Sequence, residues 1–442
     1  MEAVGGADLG DDDVVRPVLD LTVSWSQRWS PTHAPPPLPP HAASGTTPAG
    51  STDAGSPLPW TRPASASTAA LHCSAPRRCR STPATAREKE EEDEEWRSYL
   101  APERLQVFRQ LEPWVEEQML PLLKPVEDSW QPSDLLPDPA ALGADGFHAA
   151  CLDLRAGAAR VPDDLLVCLV GNMVTEEALL TYPSVLNRFE AVRDATGADA
   201  APWARWIRGW SAEENRHGDV LSRYMHLSAR FDMREVERAV QRLVRDGMRM
   251  RAPASPFHGF VYVAFQERAT AVAHGNTARL AGAAGDAALA GICGTVAADE
   301  KRHEAAYTRV VAKLFDADPD AAVRAMAYMM RHRIDMPTAL IRDGRGGDFY
   351  ARLIAITEQA GTYTLSDYRR ILEHLIRQWG VQDLAAGLSG EGRRARDYLC
   401  ALPNKIRRME ERAHDRAVAA QNKATPIPIS WIFDRIISVH LP

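Results

Sequence analysis

The stretches Glu-Glu-Asn-Arg-His at 213–217 and Asp-Glu-Lys-Arg-His at 299–303 are two copies of one short block. Each copy reads acidic residue, Glu, variable residue, Arg, His, and so sets a carboxylate three residues before an imidazole. Residues three apart on an α-helix lie on the same face, one turn apart. The repeat therefore predicts two helices that each present a carboxylate and an imidazole side by side.

A single glutamate precedes each block, Glu176 before the first and Glu267 before the second. Each interval fits two antiparallel helical arms of ~14 residues plus a short turn, because a helix rises ~1.5 Å per residue. Two such hairpins bring four carboxylates and two imidazoles into a four-helix core, as in ferritin-like di-iron bundles. This oxygen and nitrogen donor set suits iron or manganese, whereas structural zinc favours thiolates. The predicted ligands are Glu176, Glu214, His217, Glu267, Glu300 and His303.

An isolated Glu-x-x-His on a helix is commonly a solvated surface pair. Glu411 and His414, within KIRRMEERAHDRA, are such a pair, because charged residues surround them and no upstream Glu matches them. Glu176 and Glu267, by contrast, lie at helical spacing from apolar residues. A carboxylate on an apolar face needs a cation, a partner or water, because burying it unpaired is costly. The matched copies therefore favour a metal site.

Helical periodicity leaves some ligand choices open. Glu213 and Glu214 both fit the histidine that follows them, and the second block favours Glu214 because it has Asp at the first place and Glu at the second. Glu177 competes with Glu176 in the same way, although the second hairpin offers a single Glu. His274 also falls on the ligand face of its predicted helix and is a further candidate.

Length and composition place limits on the function. With 442 residues and 45% hydrophobic content, the chain can bury one large core once its N-terminal segment is set aside. A net charge of −7 argues against non-specific nucleic-acid binding. No stretch approaches ~18 uninterrupted apolar residues, so the sequence predicts no membrane span. An enzyme acting on lipid would then need a soluble carrier for its substrate.

The N-terminal part of the chain has the composition of a targeting segment. Residues 26–87 are rich in Ser, Thr, Ala, Pro and Arg, and Asp53 is their only acidic residue. This pattern is typical of a chloroplast transit peptide, with a plain disordered tail as the alternative. Asp11, Asp12 and Asp13 fit a transit peptide poorly. We therefore predict a transit peptide or disordered segment over 1–90 and one di-iron domain over 91–442.

The remainder of the chain has helical periodicity with few strand signals. Asp163 and Asp164 after Pro162 predict the start of the first ligand helix, and Pro202 that of the next. The second hairpin is expected to turn within the Gly- and Ala-rich segment 281–291. Further helices are predicted at roughly 320–335, 348–361, 366–379 and 390–418, and the apolar tail PISWIFDRIISVHLP is expected to dock onto the body. The predicted class is all-α.

Several segments resemble those of the soluble plant acyl-carrier-protein desaturases, of the stearoyl-acyl-carrier-protein 9-desaturase type. They are TEEAL, AEENRHGD, GFVYVAFQERAT, HGNTAR, ICGTVAADEKRHE and SWIFDR. The likeness runs from about Trp96 to Arg435. It implies a ferritin-like helical bundle with a four-helix di-iron core plus additional helices. It also implies a homodimer in the plastid stroma, with two irons (Fe²⁺/Fe³⁺) per chain on the six ligands that the spacing predicts.

The resemblance also suggests roles for neighbours of the ligands. Asp299 would hydrogen-bond a ligand histidine, His217, and fix its tautomer. Thr270 would lie beside the oxygen-binding side of the irons, and Trp130 resembles a family tryptophan on an electron path. Asn172 departs from the Asp that the family pattern leads us to expect, which leaves the interactions around the first ligand open.

The implied reaction uses O2 as co-substrate to remove two hydrogens from an acyl chain on acyl carrier protein, leaving a cis double bond. The stearoyl chain and the Δ9 position are expected, in plastid fatty acid biosynthesis, with ferredoxin as the donor of two electrons. Position selectivity among identical methylenes requires a deep apolar channel past the irons. Phe189, Val185 and Met250 are candidates for shaping it, with plain core packing as the alternative.

The acidic carrier protein is expected to meet a basic surface. One stripe of a predicted helix carries Lys405, Arg408, Arg412 and Arg416. The alternative is an ordinary charged helix face, because acidic residues share this helix.

Two other protein classes use similar metal motifs. A ribonucleotide reductase small subunit would need a tyrosine close to the irons, and the positions of Tyr224 and Tyr307 do not demand that reading. An iron-storage or helical scaffold protein would hold many irons per chain or none, whereas a desaturase holds two.

Overall fold

The structure is a computed structural model that describes residues 101–248, 255–332, 334, 337–344, 349–419 and 424–440. The predicted transit peptide or disordered segment over 1–90 lies outside the described residues, as does Met250. The desaturase domain that we predict over 91–442 can therefore be followed from residue 101 onward.

The described residues are mainly helical, and the order of the elements follows the predicted segments. The long helices are α1 Pro102–Gln110, α2 Pro139–Ala158, α3 Asp163–Glu177, α4 Pro202–Ser228, α5 Met233–Asp246, α6 Pro256–Ala284, α7 Ala287–Ala317, α8 Pro319–Arg331, α9 Phe349–Ala360, α10 Leu365–Gln378 and α11 Gly390–Ala419. Two strands follow, β1 Ala424–Ile429 and β2 Arg435–His440. Short α-helical turns lie at Glu112–Trp114, Pro132–Leu135 and Tyr182–Leu186, and a π-helical turn at Val115–Met119. Short 3₁₀ turns occupy Leu120–Leu122, Val126–Asp128, Ala178–Thr181, Pro337–Leu340, Val381–Asp383 and Ser430–Ile432.

Helices α3, α4, α6 and α7 form the four-helix core. Helix α6 packs along α7, α3 packs against α4, and contacts of α3 with α6 and of α4 with α7 close the bundle. Prolines begin three of the hairpin arms, since Pro162 caps α3 while Pro202 and Pro256 are the first residues of α4 and α6. Proline suits the first helical turn because its missing N–H would have no intrahelical partner there.

The two predicted hairpins differ in their connections. The second turns tightly within the predicted segment, where Gly285 takes a left-handed φ of 88° after α6. Asp286 then accepts a hydrogen bond from Leu289 N, at 2.9 Å, and caps α7. The expectation of a short turn is wrong for the first hairpin, because the chain passes through Ala178–Thr181, Tyr182–Leu186 and a loop before α4 begins. This longer connection forms one wall of a cavity beside the core.

The remaining elements cover the two sides of the bundle. Helix α8 packs on α6 and α7, and α10 and α11 extend the same side. On the other side α5, α9 and the C-terminal hairpin pack against α3. The apolar tail docks as predicted, with the Trp431 side chain fully buried. The all-α expectation omitted the small antiparallel sheet there, in which Ile427 pairs with Ile437.

Helix α3 and the turns after it form an unusually apolar segment. Residues Asp163–Leu186 are long and apolar enough to cross a membrane by length and composition, and 72% of the most apolar stretch is buried inside the protein. The core helix of a bundle meets the same criteria, because apolar neighbours surround it on every side. The hydropathy of α3 is thus accounted for by its place in the four-helix core.

Candidate metal centre

The six predicted ligand side chains converge in the middle of the four-helix core. They form two groups, one of Glu176, Glu214, His217 and Glu300 and the other of Glu214, Glu267, Glu300 and His303. Within each group the oxygen and nitrogen atoms lie within 4.8 Å of one another. All six side chains are buried, with at most 5% of the residue exposed. Helices α3 and α6 each supply one glutamate, and α4 and α7 each supply a Glu-x-x-His pair.

Two carboxylates are common to both groups and therefore lie between the two positions that an ion could take. Glu214 turns its Oε2 toward His217 Nδ1, at 3.2 Å, and its Oε1 toward His303 Nδ1, at 2.6 Å. Glu300 Oε1 lies 3.2 Å from His217 Nδ1. Each histidine thus directs Nδ1 to the centre, and the shared carboxylates have the arrangement of bridging ligands in di-iron bundles.

The chemistry of the cluster fits a pair of divalent cations. Among the described residues, Glu214 Oε1, Glu267 Oε2, Glu300 Oε1 and His303 Nδ1 are buried and make no well-aligned hydrogen bond, although they lie close to one another. Buried polar groups left without partners are costly, so the cluster needs a ligand to satisfy these atoms. Four ionised carboxylates would also balance the charge of two divalent ions when both imidazoles are neutral. Oxygen and nitrogen donors without thiolate favour iron or manganese.

The pKa values report how strongly these groups act on one another. Burial raises the pKa of Glu176 to about 7, against the hydrogen bond from His274 and together with repulsion from Glu300 and Glu214. Burial likewise holds the pKa of Glu267 well above its usual range. Packed carboxylates resist full ionisation unless a cation is present. Metal binding is therefore expected to release protons from this cluster.

Outside the centre, each histidine meets an acidic residue from the other block. His303 Nε2 lies 2.8 Å from Glu213 Oε2, and His217 Nε2 lies 3.6 Å from Asp299 Oδ2. The acidic first residue of each block thus faces the histidine of the opposite block. The 2.8 Å contact lets Glu213 fix the tautomer and orientation of His303. The hydrogen bond that we predicted between Asp299 and His217 is not made, because 3.6 Å is too long for one. Glu213, which could have been a ligand from its spacing, takes this outer role.

The arginine of each block forms an ion pair with the acidic first residue of the opposite block. Arg216 Nη2 lies 3.3 Å from Asp299 Oδ2, and Arg302 Nη2 lies 3.0 Å from Glu213 Oε2. Arg302 also pairs with Asp299, at 2.5 Å, and so touches both outer carboxylates. Burial acts to raise the pKa of Asp299, but His217 and Arg302 outweigh it and hold that pKa well below the usual range. The matched Arg of the repeat was the sequence signal for this network.

Trp130 lies directly outside the first histidine. Its Nε1–H donates to Asp299 Oδ2 at 2.8 Å, and its ring stacks on His217 with centroids 6.1 Å apart and planes 7° apart. The guanidinium of Arg216 lies 4.7 Å from the ring centroid and donates to the Trp130 carbonyl oxygen at 2.7 Å. Trp130, Asp299 and His217 therefore form a continuous contact path to the centre, and its role in electron transfer stays a prediction.

Each single glutamate has one oxygen held by a ring N–H. His274 Nε2 lies 3.0 Å from Glu176 Oε1, so His274 contacts a predicted ligand and falls in neither ligand group. Trp210 Nε1 donates to Glu267 Oε1 at 3.1 Å. The sequence reasoning did not single out Trp210, although it stands one turn before Glu214. Glu177, the alternative to Glu176, is half-buried and packs against α4.

A cavity of about 70 Å³ opens beside the centre. Its apolar wall includes Val185, Leu186, Met248 and Val263, and its floor includes four of the predicted ligands. Thr270 lines it too and donates to Glu300 Oε2 at 2.5 Å. The cavity therefore places apolar volume directly against the carboxylates.

Two further predicted features lie away from the cavity floor. On α11, Arg408 and Arg412 are exposed and Lys405 is half-buried, while the side chain of Arg416 lies outside the described residues. The tyrosine hydroxyls are engaged elsewhere, since Tyr224 donates to Asp286 at 2.6 Å and Tyr307 accepts from Trp206 at 3.0 Å. The basic stripe stays a prediction.

Asn172, one turn before Glu176 on α3, is the position that departs from the expected Asp. Its Nδ2 is buried and has no hydrogen-bond partner in the described part of the chain. A carboxylate would place acceptors there, whereas the amide places a donor.

Comparison with known proteins gives a consistent result. The family model described as fatty acid desaturase matches residues 103–433. A chloroplastic acyl-[acyl-carrier-protein] desaturase 6 of Oryza sativa subsp. japonica is 71% identical over 356 residues, which cover 80% of this chain and 85% of that protein. A chloroplastic acyl-[acyl-carrier-protein] desaturase 7 of Oryza sativa subsp. indica is 70% identical over 352 residues, which cover 80% of this chain and 87% of that protein. A chloroplastic stearoyl-[acyl-carrier-protein] 9-desaturase 2 of Arabidopsis thaliana is 51% identical over 340 residues, which cover 77% of this chain and 82% of that protein.

Proposed function

The chain belongs to the fatty acid desaturase family, and on that premise we propose that it desaturates a saturated acyl chain carried on acyl carrier protein, using two irons and O2. The observation that carries the proposal is the buried cluster of four carboxylates and two imidazoles, whose carboxylates line the floor of an apolar cavity. The names of the similar proteins support the carrier-bound substrate.

In the proposed reaction, the acyl CH2–CH2 unit, O2, two electrons and two protons give a cis CH=CH unit and two water molecules. When bound, iron would supply the oxidising power to break an unactivated C–H bond. Glu176 and His217 would help to hold one iron, and Glu267 and His303 would help to hold the other. Glu214 and Glu300 would contribute to both. Ferredoxin, as the electron donor, would supply the two electrons.

The residues around the centre would orient and shield the reaction. The apolar cavity wall would keep water away from the bound acyl chain. Thr270 holds one Glu300 oxygen at the cavity surface and could pass a proton between the cavity and that carboxylate. Glu213 would keep the outer nitrogen of His303 oriented, so that its Nδ1 stays directed to the centre. Asp299 would hold Trp130, whose ring stacks on His217.

The finer assignment rests on more distant relatives. The stearoyl chain and the Δ9 position are supported by a relative that is 51% identical, so we propose them as the first substrate and product to test. The relatives are named chloroplastic, which supports action in the plastid stroma with residues 1–90 as a cleaved transit peptide. We further propose that the active form is a homodimer and that the acidic carrier docks on the basic stripe of α11.

The experiment is an assay of the full-length chain loaded with iron, given ferredoxin, a ferredoxin reductant, O2 and carrier proteins bearing saturated chains of several lengths. Mass spectrometry of the released acyl chains reports both the substrate and the bond position. We expect one unsaturation in one preferred chain length, and no product from the Glu214→Ala variant. Absence of product from all chains, with two irons bound, would overturn the proposal.

A further inference from the structure

The two single glutamates are held in similar ways but face different surroundings. Glu176 Oε1 contacts His274, and Glu267 Oε1 accepts from Trp210. The other oxygen of each carboxylate faces a predicted ligand histidine. Glu176 Oε2 lies 3.9 Å from His217 Nδ1, and Glu267 Oε2 lies 3.6 Å from His303 Nδ1. Each ring N–H therefore sets the orientation of one predicted iron ligand.

Of these two partners, Trp210 and His274, only Trp210 is among the described residues that line the cavity. Trp210 is 5% exposed and lies edge-on to Tyr307, with ring centroids 6.2 Å apart and planes at 89°. The Trp210 indole thus packs against Tyr307 and also faces the cavity.

A hydrogen bond of this kind is sensitive to small displacements. Donor–acceptor distances of N–H···O bonds cluster near 2.9–3.0 Å, and the interaction weakens steeply with misalignment. The bond from Trp210 to Glu267 is 3.1 Å long, within the usual 2.7–3.2 Å, and displacement of the indole would lengthen or misalign it. The indole N–H can only donate, so no rearrangement of its protons can compensate for a shift. A chain that pressed on the ring would therefore release or turn the Glu267 carboxylate.

We propose that Trp210 is a positioning residue that transmits occupancy of the cavity to the metal ligand Glu267. This inference rests on the proposed function, because it assumes that an acyl chain fills the cavity. Filling the cavity displaces the indole, and the carboxylate of Glu267 then changes its orientation at the centre. Glu176 lines the cavity too, but its partner His274 does not, so that carboxylate keeps its orientation.

The test uses the full-length protein loaded with two Co²⁺ per chain, because the visible absorption of Co²⁺ reports its coordination geometry. Stearoyl-acyl carrier protein is the probe, and its binding is measured separately by anisotropy of a labelled carrier. We expect the wild-type spectrum to change on saturation. We expect Trp210→Phe to retain carrier binding and both ions but to lose most of that change. Trp203→Phe is the matched control on the same helix, since Trp203 donates to the Phe108 carbonyl oxygen, and it should keep the full change.

A second measurement on the wild type does not depend on the folding of a variant. Carrier protein without an acyl chain should bind without changing the Co²⁺ spectrum, because it leaves the cavity empty. An equal change with and without the acyl chain would overturn the inference, as would a full change in Trp210→Phe or no change on binding of the stearoyl carrier. Failure of the wild type to bind any acyl carrier would instead overturn the proposed function, and this inference with it.

Discussion

At the scale of single residues, the ligand atoms are arranged so that not all of them are equivalent. Glu214 and Glu300 belong to both groups, whereas Glu176 and His217 belong to one and Glu267 and His303 to the other. A change at a shared carboxylate should therefore affect both ions, and a change at an unshared glutamate should affect mainly one. This difference separates a two-ion centre from a single site with six nearby donors.

The first prediction compares a shared with an unshared glutamate. We expect Glu267→Ala to lower bound iron from two to about one per chain, and Glu214→Ala to abolish binding of both, because Glu214 bridges the two groups. Elemental analysis after reconstitution with iron measures the result. Glu411→Ala is the matched control, since this exposed glutamate belongs to the Glu-x-x-His copy that has no upstream partner. Full iron content in all three variants would contradict the assignment.

The second prediction concerns His258 at the start of α6. Burial lowers its pKa to about 3, and the nearby charges of His332 and Arg324 act in the same direction. Its ordinary pKa is ~6.5, so below that pH the unfolded chain binds a proton that the folded chain refuses. The folded state therefore loses stability from this residue as the pH falls from ~6.5 toward 3.

We expect this loss to be at most ~1.4 kcal/mol per pH unit. His258→Phe should flatten the pH dependence of the free energy of unfolding in that window, measured by urea denaturation. A slope unchanged by His258→Phe would show that this imidazole is protonated in the folded protein.

At the scale of elements, the core helices approach other segments closely at particular glycines. A Cβ on Gly259 of α6 would lie 2.6 Å from Phe189 Cζ, in the segment that follows the cavity wall. On the same helix, a Cβ on Gly275 would meet no atom within 4 Å. Phe189 is 2% exposed, so its ring has little room to move.

The third prediction follows from this contrast. We expect Gly259→Ala to destabilise the protein by about 1–3 kcal/mol through overpacking against Phe189. Gly275→Ala should be neutral or stabilise it by roughly 0.5–1 kcal/mol, because alanine favours the helix. Adding Phe189→Leu to Gly259→Ala should restore part of the loss, since it removes the outer ring atoms. Equal stability of both single variants in urea unfolding would contradict the packing found here.

The fourth prediction concerns the C-terminal hairpin, whose alternating side chains are buried against the body. Trp431 is fully buried and lies edge-on to Phe349, with centroids 4.9 Å apart, while Phe433 two residues later is 58% exposed. We expect Trp431→Ala to cost about 3–5 kcal/mol, as for other buried aromatic residues. Phe433→Ala should change stability by about 0.5 kcal/mol or less. Similar losses for both would mean that the hairpin does not dock through Trp431.

The sequence predicted the elements better than their contacts. Pro202 and Pro256 begin α4 and α6, and the six ligand positions follow from helical spacing, because both signals are local in the chain. The exchange of acidic partners between the two blocks depends on how α4 and α7 are rotated against each other, which spacing does not determine. Trp210 is a similar case, since one helical turn before Glu214 is equally compatible with plain packing. The strands at Ile427 and Ile437 were missed because short alternating runs are weak signals next to long helices.

At the scale of the whole molecule, the bundle combines a charged interior with an apolar cavity. Buried carboxylates would be costly in such a core without cations, and the helices that carry them also form the floor and part of the wall of the cavity. The outer acids and arginines close the opposite side of the centre. The arrangement thus places the apolar cavity against the carboxylates and Trp130 against the ring of His217.

The measurement that tests the central claim most directly is anomalous X-ray diffraction at the iron edge from crystals of the iron-loaded protein. We predict two anomalous peaks per chain, one among Glu176, Glu214, His217 and Glu300 and one among Glu214, Glu267, Glu300 and His303. A single peak, a peak at another place in the fold, or no peak in crystals shown to contain iron would contradict the account.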